Sequence, residues 1–100
     1  MLKDKLQLPK TYQENLDRAV DILKQGGCTE VYLFGSLAIG KAHQKSDMDL
    51  AVRGCPPGYF FPLLGKLLVT LDYAVDLVDL DKNLAFAHFL EQEKELQRIA

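Results

Sequence analysis

Leu33-Phe34-Gly35-Ser36 and, after ten intervening residues, Asp47-Met48-Asp49 form the stretch that decides the fold of this chain. Residues 30–34 read as a short buried strand, and Gly35-Ser36 ends it where a helix could begin. Glycine lets a ligand approach the backbone, and the free amides of a helix start favour a phosphate. The dipeptide taken alone more often marks an ordinary turn and helix cap. Gly35 and Ser36 are therefore candidate phosphate ligands whose meaning depends on their neighbours.

The two aspartates of this stretch belong to a second predicted strand. Polar and apolar residues alternate from Asp47 to Val52, which places Asp47 and Asp49 on the same face and Met48 on the other. At roughly 6 to 7 Å, two carboxylates repel by about 2 to 3 kcal/mol, and a bound divalent cation would reverse that repulsion. Oxygen ligands of this kind suit Mg²⁺. The alternative is a solvated strand end with two exposed acids.

A third carboxylate, Asp76, interrupts an apolar stretch from Tyr73 to Val78 that predicts a fully buried strand. An ionised carboxylate in such a strand is costly unless it is paired or metal-bound. Lys66 or Arg53 could supply a purely structural partner, and that alternative stays open. Asp79 falls on the opposite face near the strand end, where solvent is the expected neighbour, so we do not assign it to the site.

Three ordered motifs, Leu33–Gly40, Ser46–Val52 and Val75–Leu80, resemble those of the minimal nucleotidyltransferases of the DNA polymerase β superfamily. The resemblance extends from about Tyr12 to the end of the chain. It implies an α+β, sandwich-like fold in which helices pack on a small mixed sheet.

The resemblance also implies a site and a reaction. Mg²⁺, as two ions, would be held by Asp47, Asp49 and Asp76, and the triphosphate of ATP would lie at Gly35 and Ser36. The family reaction transfers a nucleoside monophosphate, commonly AMP, to a hydroxyl and releases pyrophosphate. Two metals about 3.5 to 4 Å apart suit such an in-line displacement. Asp76 would act on the acceptor side, as a metal ligand and candidate base.

One departure from the family pattern concerns the positions after Gly35-Ser36. Leu37 and Ile39 stand where family members often carry arginines, so Lys41 or Lys45 would have to help meet the charge of the triphosphate. A weakly active or inactive module that binds a nucleotide or a partner therefore remains an alternative. The preferred nucleotide is not specified by any motif.

The family resemblance further implies a partner. Minimal nucleotidyltransferases are often encoded beside a small helical protein of the HEPN type, and in such pairs the transferase resembles an antitoxin that caps the partner or adenylylates one of its tyrosines. A homo-oligomer is also possible. A small-molecule transferase, similar to those acting on aminoglycosides, is a further alternative, although those relatives carry an additional helical domain.

Composition sets the remaining expectations. With 100 residues, 48% of them hydrophobic and 26% charged, the chain predicts one soluble globular domain, residues 1–100. A net charge of −2 argues against a broad electrostatic grip on nucleic acid. A signal peptide and a membrane-spanning stretch are not recognised, which predicts a cytoplasmic protein with no membrane contact. Cys28 and Cys55 are then expected to be reduced and structural.

Local patterns place the helices. Residues 11–14 have the spacing of a capping box and precede an apolar stripe that ends at Gly26-Gly27. Residues 59–71 predict a second helix that is apolar nearly all round, either packed on two sides or forming a protein interface. A last helix is expected from Asp81 or Asn83 toward Arg98.

Overall fold

The computed structural model describes residues 10–34 and 48–100, which form three helices and four strands. The helices are α1 (Lys10–Gln25), α2 (Phe60–Thr70) and α3 (Leu84–Gln92). The strands are β1 (Glu30–Phe34), β2 (Met48–Arg53), β3 (Val75–Asp79) and β4 (Leu96–Arg98). This arrangement confirms the predicted α+β class.

The four strands form one mixed sheet in the order β3-β2-β1-β4. β1 is antiparallel to both β2 and β4, whereas β2 and β3 are parallel and are connected through α2. Two parallel strands need such a crossover, because the chain must return to the end of the sheet where the first strand began before the second strand can start. The parallel pairing brings the starts of β2 and β3 to the same edge.

Strand alternation divides the buried side chains between the two faces of the sheet. One face packs against α1 and α2, and its core includes Leu33, Leu50 and Leu77. The other face packs against α3 through a smaller cluster that includes Phe34 and Ala51. Because successive residues of a strand point to opposite faces, Asp49 and Asp76 lie on the α3 face.

The expected first and last helices both differ from the structure at their ends. Helix α1 already includes Lys10, so Thr11 lies inside the helix and does not cap it, and its carbonyl accepts a hydrogen bond from Asn15. Helix α3 ends at Gln92, and residues 96–98 form strand β4 instead of a last helical turn. Lys94 adopts a positive φ of 57° in the turn between them. Pairing of β4 with β1 outweighs the local helical pattern.

Helix α2 contacts both β3 and α1, yet it is not buried all round among the described residues. Leu63 and Leu67 are buried, whereas Phe61, Leu68 and Val69 are exposed. The expected packing against the sheet and a neighbouring helix is therefore present, but it covers only part of the apolar surface. Because this side of the helix is exposed, the alternative that it contributes to a protein interface stays open.

Candidate active site

Asp49 and Asp76 lie next to each other across two parallel strands. The register pairs Asp49 of β2 with Asp76 of β3, and both side chains point to the α3 face. Neighbouring strands are about 4.8 Å apart, which brings two carboxylates close enough to share a ligand. The structure thus brings these two predicted site residues together, and their role as metal ligands stays a prediction.

The argument for choosing Asp76, that it is a carboxylate in a fully buried strand, was wrong. Asp76 is exposed, although its strand was expected to be fully buried. In the described sheet β3 is an outermost strand, and α3 covers only part of the face on which Asp76 lies. An exposed carboxylate needs no structural partner. The alternative that Lys66 or Arg53 neutralises Asp76 is therefore not needed to explain this residue.

Three other predicted site residues, Gly35, Ser36 and Asp47, lie outside the described residues, and their roles stay predictions. Their described neighbours are Phe34 at the end of β1 and Met48 at the start of β2. Since β1 and β2 are antiparallel, these two residues lie at the sheet edge where β2 and β3 begin. The chain therefore enters and leaves the segment 35–47 beside the carboxylate pair.

Asp79 was expected to face solvent, but it is buried with 7% exposure. Its Oδ1 atom accepts a hydrogen bond from the backbone amide of Asp81 at 3.0 Å. Its carbonyl accepts one from Asn83 Nδ2 at 2.9 Å, so Asn83 bonds back to the strand instead of capping α3 with its side chain. Asp79 shapes the turn from β3 into α3, and its exclusion from the predicted site is consistent with this structural use.

Arg53 belongs to a separate charged cluster at the opposite end of β2. Its guanidinium forms ion pairs with Glu91 at 2.9 Å, Asp81 at 3.8 Å and Glu30 at 3.9 Å. Tyr32 lies beneath it and donates a hydrogen bond to Glu30. Burial raises the pKa of Tyr32, and the hydrogen bond to Glu30 raises it further. These contacts connect α3 to the sheet and leave Arg53 remote from Asp76.

The donor set suits a hard divalent cation. Within residues 10–34 and 48–100 the structure brings no three His, Cys, Asp or Glu side chains together as a complete metal site. Asp49 and Asp76 nevertheless supply carboxylate oxygens from two adjacent strands, and Mg²⁺ commonly takes one or two protein carboxylates together with water and phosphate oxygens. The described part of the site thus fits a metal that is also held by a phosphate.

The sequence did not reveal two aromatic residues on the same face. Phe34 and Phe86 are in edge-to-face contact, with ring centroids 5.6 Å apart. Phe86 also borders a cavity of about 670 Å³ along β3, with Val78, Phe60 and Phe61 among its other walls. Phe34 directly precedes Gly35, which was an available signal. Nothing in the local pattern distinguished Phe86 from a core residue of α3.

Comparison with known families places the chain. The model of the family described as polymerase beta, nucleotidyltransferase, matches residues 18–97. This chain belongs to that family. The match includes Asp49 and Asp76, and it confirms the family resemblance drawn from the three motifs. A search of curated proteins found no match.

Solved structures of toxin–antitoxin complexes resemble this nucleotidyltransferase domain. A toxin–antitoxin with AMP-PNP is 34% identical, with a TM-score of 0.54 over 65% of this chain and 56% of the other. A variant of the MntA toxin–antitoxin is 27% identical, with a TM-score of 0.64 over 85% and 71%. A tri-AMPylated Shewanella oneidensis HEPN toxin in complex with MNT antitoxin gives 31% identity and a TM-score of 0.51 over 69% and 56%.

The match to the first of these structures covers little more than half of that chain. The prediction that residues 1–100 form one complete domain therefore stays a prediction. None of the helices in the described ranges has the length and apolar character needed to cross a bilayer. The predicted cytoplasmic location and the predicted absence of nucleic-acid binding likewise stay predictions.

Proposed function

We propose that this nucleotidyltransferase domain transfers AMP from Mg²⁺-bound ATP to a hydroxyl, and that the acceptor is a tyrosine of a HEPN-type partner. The observation that carries the proposal is the Asp49–Asp76 pair on adjacent parallel strands. Membership of the nucleotidyltransferase family supports the reaction type. Similarity to an MNT antitoxin in complex with a tri-AMPylated HEPN toxin supports the choice of AMP and of the partner.

In this proposal Asp49 and Asp76, together with Asp47, would hold Mg²⁺. Two bound divalent ions would stabilise charge on the attacking and leaving oxygens of an in-line displacement at the α-phosphate. Asp76 is the more exposed of the described pair and lies on the outer strand of the described sheet, where a protein acceptor can reach it. A carboxylate oxygen of Asp76 would accept the proton of the acceptor hydroxyl. Gly35 and Ser36 would bind the triphosphate.

The test is transfer of label from ATP to the HEPN-type protein proposed as the partner. The purified pair is incubated with Mg²⁺ and ATP labelled either at the α-phosphate or at the γ-phosphate. We expect the partner to be labelled only from the α-phosphate, because nucleotidyl transfer retains that phosphate and releases the other two. Labelling from the γ-phosphate would instead indicate phosphoryl transfer and would contradict the proposal.

Two matched variants assign the reaction to the carboxylate pair. Asp76→Asn removes one charge from the pair, and Asp21→Asn removes an equivalent exposed charge from α1. We expect transfer to fall by at least about 100-fold in the first variant, as when a general-acid–base or metal-binding group is lost, and to remain near wild type in the second. Equal activity in all three proteins would contradict the assigned site.

A binding function without catalysis is the second candidate, and the exposed apolar side of α2 favours it. Phe61 and Val69 are 78% and 84% exposed. If binding is the whole function, Asp76→Asn will protect cells from the partner as well as wild type does. The same variant will then still form the complex on a sizing column. Loss of protection with an intact complex would instead require catalysis.

A further inference from the structure

Three phenylalanines form a continuous aromatic wall on the α3 face of the sheet. Phe34 and Phe86 meet edge to face with centroids 5.6 Å apart, and Phe86 and Phe89 are nearly parallel with centroids 6.5 Å apart and an interplanar angle of 16°. The aromatic wall, Phe34, Phe86 and Phe89, thus extends outward from the end of β1 along one side of α3.

The aromatic wall begins next to the carboxylate pair. Leu33 pairs with Leu50, and the antiparallel register continued by one residue sets Phe34 beside Asp49. Asp49 in turn pairs with Asp76, so the three residues form a row across adjacent strands on one face. Phe86 contacts Phe34 on β1 and also borders the cavity beside Val78 on β3. Phe86 therefore lies on the same face of the sheet as Asp49 of β2.

The packing of α3 on the sheet does not require Phe86 and Phe89 to be phenylalanines. Ala87 and Leu90 are the buried residues that fix this helix on the sheet. Phe86 is 37% exposed and Phe89 is 51% exposed. A phenylalanine left half in water gives up part of the free energy that burial would provide, and contiguous exposed aromatic surface commonly marks a binding site.

We propose that the aromatic wall stacks the nucleobase of the nucleoside triphosphate whose phosphates lie at the carboxylate pair. The inference rests on the proposed nucleotidyl transfer and adds a binding position for the base. A flat ring can stack on Phe86 and Phe89 while the ribose and phosphates extend toward the row of Phe34, Asp49 and Asp76. Stacking on phenylalanine contributes about 1 to 3 kcal/mol per base and tolerates every base, because each has a π face.

The test compares a ligand that has a base with one that lacks it. Mg²⁺ complexes of α,β-methylene-ATP, which resists cleavage at the α-phosphate, and of inorganic tripolyphosphate are titrated calorimetrically into wild type and Phe89→Ser. We expect Phe89→Ser to weaken binding of the nucleotide analogue about 5- to 150-fold, the range that stacking free energies imply. Binding of tripolyphosphate should stay within about twofold, because it makes no stacking contact.

Val69→Ser is the control, since Val69 is also an exposed apolar side chain but belongs to α2, which packs on the other face of the sheet, and it does not line the cavity beside Phe86. Neither ligand should distinguish this variant from wild type. Unchanged binding of the nucleotide analogue to Phe89→Ser, or equal weakening of both ligands, would overturn the inference. So would loss of partner binding alone, which would identify the wall as a protein interface.

Failure of the inference can be distinguished from failure of the proposed function. If wild type binds tripolyphosphate and the nucleotide analogue equally well, the phosphate site exists and the base contributes nothing, so only the inference fails. If wild type binds neither ligand in the presence of Mg²⁺, both the nucleotide site and the proposed transfer reaction are contradicted. Unfolding curves of Phe89→Ser that match wild type ensure that any change in binding is local.

Discussion

Asp49 and Asp76 are register partners in a parallel strand pair, which sets two negative charges side by side. Like charges at neighbouring sheet positions oppose folding. Neither residue is fully buried, so neither contributes to the hydrophobic core. A cation that binds both carboxylates would turn the repulsion into attraction.

The first prediction is that Asp76→Asn stabilises the metal-free protein while removing its activity. Neutralising one member of the pair relieves the repulsion, so the free energy of unfolding in EDTA should rise by about 0.2 to 1 kcal/mol. Urea unfolding followed by circular dichroism measures this. Asp21→Asn, which removes a charge far from the pair, should change stability by less than about 0.5 kcal/mol. A less stable Asp76→Asn protein would contradict the repulsion.

A second prediction concerns Mg²⁺. A ligand that binds only the folded protein raises the free energy of unfolding. The increase grows with the logarithm of the ligand concentration once that concentration exceeds the Kd. Millimolar Mg²⁺ with tripolyphosphate should therefore raise the Tm of wild type. The same addition should raise the Tm of Asp76→Asn much less, because one carboxylate ligand is gone. An equal rise in both proteins would place the metal elsewhere.

The third prediction concerns Asn15, which is 1% exposed and connects α1 to the residues before β3. Its Nδ2 donates to Asp72 Oδ2 at 3.0 Å, and its Oδ1 accepts from the Asp72 amide at 2.7 Å. Asn15→Ala leaves the amide of Asp72 without its partner and should lower the free energy of unfolding by about 2 to 3 kcal/mol. Gln13→Ala, which loses an exposed hydrogen bond to Asp17, should change it by less than about 0.5 kcal/mol.

The fourth prediction compares two glycines that both have positive φ. Gly54 has φ +70°, and a Cβ atom there would lie 2.1 Å from Thr29 Oγ1. Gly58 has φ +81° with nothing within 4 Å of its Cβ position. Alanine at Gly58 should lose about 1 kcal/mol for the left-handed backbone alone. Gly54→Ala should lose at least about 1 kcal/mol more, and adding Thr29→Ala should recover part of the difference in urea unfolding.

The fifth prediction uses the two thiols, which share a hydrogen bond. Burial first, and then the bond to Cys55, raises the pKa of Cys28 from 9.0 to about 12. Iodoacetamide at about pH 8 should therefore modify the half-buried Cys55 and leave Cys28 intact until the protein unfolds, which peptide mass spectrometry detects. Faster modification of Cys28 than of Cys55 would contradict this order.

The same shift makes stability depend on pH. The pKa of Cys28 is higher in the folded than in the unfolded chain, so its contribution to stability is fully present below about pH 9 and is lost as pH rises toward about 12. Cys28→Ala should flatten this alkaline decline, whereas Cys55→Ala should flatten it less. Urea midpoints measured across that range provide the comparison.

The sequence by itself determined the family and the α+β class, and it predicted Asp49 and Asp76 as site residues. These conclusions depend on short-range information: a strand that ends at Gly35-Ser36, strict alternation around Asp49, and a carboxylate set among apolar residues. Each of these features is a property of a few consecutive residues, and backbone sterics and side-chain alternation act at that range. The apolar stripe of α1 was recoverable for the same reason.

Only the tertiary structure decided which strands are neighbours, and that determined everything the sequence missed. Residues 96–98 became a strand because β1 offered unpaired backbone groups, not because of their own pattern. Asp76 is exposed because β3 is outermost in the described sheet, whereas Asp79 is buried on the opposite face, where its carboxylate accepts a hydrogen bond from the Asp81 amide. The contact of Phe34 with Phe86 joins residues more than 50 positions apart. Such burial and pairing depend on long-range packing, which no local pattern encodes.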